Sequence, residues 1–175
     1  MANFEFTGIN HLALVCEDMD RTIDFYTNVL GMPLTKTIDL PDGRGKHYFF
    51  DCGGGDHLAF FWFPDGPESV SAQEYRRITA TPGTMNHVAF NVAADKIEAY
   101  RERLISLGVE CTEVVNHDDS DKKVSDEVNA TTFVRSIYFK DPDGMQLEMA
   151  AWARALTADD VSYVPPQDAI ASTAG

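Results

Sequence analysis

Apolar residues recur along this chain in two rhythms, and the same succession of rhythms occurs twice. Asn10-His11-Leu12-Ala13-Leu14-Val15 and Asn86-His87-Val88-Ala89-Phe90-Asn91-Val92 are alternating or continuously apolar, which predicts a strand at the head of each half. A helical stretch follows each. The first runs from about Met19 to Leu30, with Ile23, Phe25, Tyr26, Val29 and Leu30 near helical spacing. The second runs from about Asp95 to Leu107, with Ile97, Tyr100, Leu104 and Leu107 on one face. Asp18 and Asp20 stand where a carboxylate caps free N–H groups. Both helices stop at a glycine, in Leu30-Gly31-Met32 and Leu107-Gly108-Val109, because glycine enters the left-handed conformation cheaply.

The second part of each half also matches. Tyr48-Phe49-Phe50-Asp51 parallels Tyr138-Phe139-Lys140-Asp141, pairing Tyr48 with Tyr138. Turns follow at Cys52-Gly53-Gly54-Gly55 and Pro142-Asp143-Gly144, then closing strands His57-Leu58-Ala59-Phe60-Phe61 and Gln146-Leu147-Glu148-Met149-Ala150. Further strands are expected at about Pro33–Asp39 and Val109–Val115. The predicted class is therefore α+β: two tandem βαβββ modules, about 7–63 and 84–152, whose sheets curve around a shared metal-containing cavity. Pro64 to Thr84 connects them, with a helical turn expected around Ala72–Ile78. Asn116 to Asn129 is polar and reads as an exposed loop, its acidic run Asp118-Asp119-Ser120-Asp121 solvated and His117 with it. The domain is placed at 1–153, and the tail from 154 to 175 is expected to be irregular.

Composition narrows the partners. With 175 residues and 44% apolar content the chain can bury a sizeable core, and its net charge of −14 repels phosphate backbones and anionic membranes. Nucleic acid and membrane are thus excluded as expected partners, and no apolar run approaches the ~18 residues of a span. Cys16, Cys52 and Cys111 have no paired spacing and read as reduced thiols, which suits a cytoplasmic protein.

Chemistry enters through the repeat. His11 and His87 occupy equivalent positions, and Glu148 is equivalent to Ala59. In modules related by a pseudo-two-fold axis these positions are expected to meet, giving two imidazoles, one carboxylate and one position without a ligand. Such a set suits Fe(II), or Mn(II), while Zn(II) with two His and one Glu is the hydrolytic alternative. An unpaired Glu148 between Leu147 and Met149 would be costly to bury.

The Asn-His at each module start, together with Tyr-Phe-Lys-Asp-Pro-Asp-Gly-Met-Gln-Leu-Glu from Tyr138 to Glu148, resembles the vicinal oxygen chelate superfamily. That superfamily includes glyoxalase I, fosfomycin and bleomycin resistance proteins and extradiol ring-cleaving dioxygenases. The resemblance covers about residues 7–152. It implies a small-molecule substrate and pairing of modules in a homodimer. Ala59, at the fourth ligand position, makes the set most similar to that of the dioxygenases. The implied activity is extradiol cleavage of a catechol-like vicinal diol by dioxygen. A glyoxalase-type lyase or isomerase and a metal-free drug-binding protein are the alternatives. The resemblance makes Tyr138 a hydrogen-bond partner of a substrate oxygen; otherwise it is a core aromatic. His57 shares a face with Ala59 by alternation and serves either as acid–base or as an exposed turn-end residue. The further histidine that the dioxygenase motif carries six to nine residues before its tyrosine has no counterpart here. His47 reads as structural or exposed.

Overall fold

A computed structural model of the protein describes residues 4–163. The first module contains β1 (His11–Val15), α1 (Met19–Asp24), β2 (Leu34–Asp39), β3 (Lys46–Gly53) and β4 (Asp56–Trp62). The linker carries α2 (Ala72–Thr79). The second module contains β5 (Val88–Asn91), α3 (Ile97–Ser106), β6 (Val115–His117), β7 (Val124–Ser125), β8 (Val134–Lys140) and β9 (Gln146–Trp152). The strands make one sheet ordered β1-β4-β3-β2 and another ordered β5-β9-β8-β6-β7. In each, the opening strand lies parallel to the closing strand, and the remaining pairs are antiparallel. The duplicated α+β architecture is thus as expected, and the sheets are not closed.

Each helix covers one face of its own sheet. Asp18 caps α1 by accepting the Arg21 N–H at 3.0 Å. The helix does not continue in α form to Leu30: Phe25–Val29 is a π turn, in which Leu30 N–H donates to Phe25 O at 3.0 Å. The wider turn drives Tyr26 into the core, 4.8 Å from Phe60 and 5.6 Å from Phe50 between ring centroids. Gly31 and Gly108 terminate the two helical segments at φ +75° and +81°, as the sequence requires.

Two segments depart from expectation. Residues 109–114 run beside β8 but form only the isolated bridge Cys111–Phe139. Thr112 Oγ1 accepts the Tyr138 N–H, taking the place of a backbone carbonyl, so the regular ladder starts only at Val115. The 116–129 segment is largely exposed, as expected, but not throughout. Asn116 and Asp118 are buried, and Asp118 accepts hydrogen bonds from Ser120 N–H, Ser120 Oγ and Asn129 Nδ2. Those bonds lower its carboxyl to about 2 and fold the segment into the β6–β7 hairpin. Of the tail, residues from 164 onward lie outside the described residues; before them Arg154 pairs with Asp160 and Asp119.

The modules are tied through the β8–β9 turn. Tyr26 OH donates to Asp141 at 3.2 Å, Arg21 pairs with Asp143, and Gln146 N–H donates to the Tyr75 hydroxyl at 2.9 Å. One buried cluster therefore draws on both modules, from Tyr26, Phe50 and Phe60 to Ile137, Phe139 and Leu147.

Candidate metal centre

Strand register decides which side chains share the uncovered face of each sheet. In the second sheet Tyr138 is paired with Glu148 across β8 and β9, and Ala89 with Glu148 across β5 and β9. His87 immediately precedes β5 and shares the face of Ala89. Its Nε2 lies 2.8 Å from Glu148 Oε2. The Glu148 carboxylate is 6% exposed, at the end of an otherwise apolar neighbourhood. Its nearest cationic partner is an imidazole that is charged only when protonated.

Register also corrects one equivalence. Phe49 is paired with Ala59 as Tyr138 is with Glu148, so the counterpart of Tyr138 is Phe49. Tyr48 is paired with Phe60 and belongs to the opposite face. A shift of one residue moves a side chain through the sheet. Tyr138 is therefore a difference between the modules on the face where their chemistry differs. Burial raises its phenol above the ordinary range, and the negative charge of Glu148 raises it further.

In the first sheet His11 and His57 are paired across β1 and β4, as are Ala13 and Ala59. His57 thus shares the face of His11 and Ala59, as alternation requires. His47 also belongs to this face, stacked on Phe61 at 3.6 Å, with His11 5.7 Å from Phe49. Burial lowers the His47 imidazole, and His11 nearby lowers it further. It is packed in an aromatic cluster rather than exposed.

The two candidate histidine ligands have the same local support. His11 Nδ1 lies 2.8 Å from Asn10 Oδ1, and His87 Nδ1 lies 2.7 Å from Asn86 Oδ1. An amide oxygen only accepts, so each Nδ1 carries the hydrogen; His11 Nε2 then keeps its lone pair, while His87 Nε2 faces the Glu148 carboxylate, whose place beside it a cation would share. Fixing the tautomer through an outer partner is the usual preparation of an imidazole for metal binding. The donor chemistry therefore fits a divalent ion.

Within one chain the structure brings together two of the three expected ligands. His11 stands in the first sheet, apart from His87 and Glu148, and no group of three His, Cys, Asp or Glu side chains suited to a metal occurs among the described residues. A cavity of about 790 Å³ lies at the module junction, lined by Cys16, Trp62, Tyr75, Met85, Asp141 and Asp143 among others, with neither His87 nor Glu148. The reason is topological: β1 pairs with β4 and β5 with β9, so each histidine stays on the open face of its own sheet. On the first sheet this face is solvent-accessible, with Val15 62% exposed.

The sequence missed His117. Its Nε2 is 3.1 Å from the Tyr138 hydroxyl, reached from the neighbouring strand. The signal was alternation: Val115 closes the predicted strand, and a residue two further on shares its face.

Residues 8–149 match the family described as the Glyoxalase/Bleomycin resistance protein/Dioxygenase superfamily. The metallothiol transferase FosB of Lysinibacillus sphaericus is 30% identical over 141 residues, covering 81% of this chain and 79% of that protein. The 3-methylcatechol 2,3-dioxygenase of Pseudomonas putida is 31% identical over 105 residues, covering 58% of this chain but only 33% of that enzyme. The glyoxylase/bleomycin resistance protein/dioxygenase domain from Frankia sp. EAN1pec superposes with a TM-score of 0.64 at 18% identity, over 90% of this chain and all of that one, a likeness of fold.

Proposed function

We propose, since this chain belongs to the glyoxalase/bleomycin resistance protein/dioxygenase superfamily, that it is a divalent-metal enzyme whose ion is held by His87 and Glu148 of one copy and His11 of a second. The observation that carries this reading is the repeated Asn-His pair, each Asn oxygen holding its histidine by Nδ1, with His87 Nε2 turned to the Glu148 carboxylate. Support for the second copy comes from the open faces. Where the second sheet sets Glu148 beside His87, the first has Ala59 at the matching position of its His11 face. A homodimer that apposes the two faces would complete two equivalent sites. Asn86→Ala should weaken Mn(II) binding roughly 10–100-fold, the usual cost of losing an outer-shell partner, as read by calorimetric titration.

Fe(II) suits the donor set best, and Mn(II) or Zn(II) fit the same donors. The ion would supply a Lewis acid for adjacent substrate oxygens and, as Fe(II), redox chemistry with dioxygen. The protein's own groups favour an aromatic vicinal diol as the small-molecule substrate. Phe49 and Phe61 line the His11 face. His57 can take a proton from a diol hydroxyl and return it, and Tyr138 can hydrogen-bond a substrate oxygen. Arg101, Arg135 and Arg154 are engaged by Glu113, Glu98 and the Asp119/Asp160 pair, so they are not gathered to receive an anionic group. Protein loaded anaerobically with Fe(II) should then consume dioxygen and release a yellow ring-fission product with at least one catechol. Iron-replete protein that takes up no oxygen with any vicinal diol overturns the dioxygenase reading.

A second reading, metal-dependent thiol transfer, is favoured by coverage: this chain spans 79% of the FosB relative but a third of the dioxygenase. It predicts loss of free thiol when Mn(II)-loaded protein meets fosfomycin and a low-molecular-weight thiol. A glyoxalase-type reaction is less favoured, because Ala59 cannot serve as a fourth ligand. A metal-free binding protein would purify without bound metal.

A further inference from the structure

His117 stands outside the candidate ligand set, in a hairpin that has no counterpart in the first module. β6 brings it alongside β8, with His117 paired to Val134, and its side chain reaches along the face to Tyr138. The Nε2 to hydroxyl distance is 3.1 Å, and the rings meet edge to face with centroids 6.3 Å apart. On its other side Tyr138 meets His87 edge to face at 6.0 Å. The phenol is therefore held between an imidazole outside the metal set and the two groups within it. The hairpin that delivers His117 is built for rigidity: Asp118, the next residue, is buried and accepts three hydrogen bonds.

Resting on the metal-site reading above, we infer that His117 is a positioning residue for Tyr138. Its Nε2–H donates to the phenol oxygen, which leaves the phenol hydrogen free to point at the face carrying His87 and Glu148. A phenol so held donates to an oxyanion at that face, which sets the ligand class: a chelating diol or enediol with one ionised oxygen. A hydroxyl free to rotate would donate to water or to Glu148 instead.

The test uses 4-nitrocatechol, whose visible absorbance reports its ionisation, with Mn(II)-loaded full-length protein. His117→Ala should weaken binding of the nitrocatecholate roughly tenfold, about the worth of one hydrogen bond. Tyr138→Phe should weaken it at least as much, and the double variant should bind no more weakly than Tyr138→Phe alone. His117→Gln, which keeps a donor, should recover most of the loss. Metal affinity should be unchanged in all four, and the pH dependence of probe ionisation should shift in His117→Ala and not in His117→Gln. Additive losses in the double variant, or a His117→Ala protein that binds the probe like wild type, overturn the assignment while the metal site stands. Wild-type protein that binds no metal overturns the underlying site and the assignment with it.

Discussion

Replacing Glu148 by Gln is expected to abolish metal binding and activity while leaving the fold intact. Glutamine has the shape of glutamate, and at a position only 6% exposed that shape matters for packing. The amide can still hydrogen-bond His87, whose Nε2 now lies 2.8 Å from the carboxylate. What is lost is the negative charge and the second strong donor to a cation. The loss in affinity should exceed the roughly 10–100-fold cost of removing an outer-shell partner. Thermal denaturation separates the two effects. Wild-type protein should melt higher as Mn(II) is added, since a ligand that binds only the folded state stabilises it. Glu148→Gln should melt close to metal-free wild type and ignore the metal.

The second large effect concerns stability rather than chemistry. Asp141 is buried under the β8–β9 turn, and burial pushes its carboxyl up to about 6. One oxygen accepts the N–H groups of Met145 at 2.8 Å and Asp143 at 3.0 Å, and the other meets Tyr26 OH. In the unfolded chain the group titrates near the ordinary 3.9. A raised folded value means that the folded state holds the proton more tightly. The stabilisation is thus complete below about pH 4 and is lost as pH rises through about 6, and the whole span is worth roughly 3 kcal/mol. Asp141→Asn keeps the acceptor for both N–H groups and never ionises. The variant should therefore melt above wild type at pH 8, by roughly 2–4 °C for each kcal/mol regained, and the advantage should vanish at pH 4. A wild-type melting temperature that is flat between pH 4 and 7 contradicts this account.

Much of this was legible in the chain because duplication supplies its own control. His11 and His87 identify each other, Gly31 and Gly108 mark the same helix stop, and the closing strands align without gaps. What was not legible depends on register and on arrangement between sheets. Pairing Tyr48 with Tyr138 was a one-residue slip, invisible in the matching Tyr-Phe pairs and visible once Ala59 and Glu148 fix the ladders. His117 and Asp118 lay in a run whose polarity suggested solvent, yet hydrogen bonds from Ser120 and Asn129 satisfy the carboxylate and fold the hairpin over the site. Thr112 ended the predicted 109–115 strand by a side-chain hydrogen bond that no periodicity records. Equivalence of His11 and His87 likewise says that they share a role, and does not say whether they meet within one chain or between two.

That last point is open to direct measurement. His11→Ala and His87→Ala chains, co-expressed with different tags and purified as a heterodimer, carry one complete ligand set only if a site draws on both copies. The heterodimer should hold one tightly bound divalent ion per two chains, while each homodimeric parent holds none. Two chains that do not associate, or a heterodimer as free of metal as its parents, would contradict the shared site.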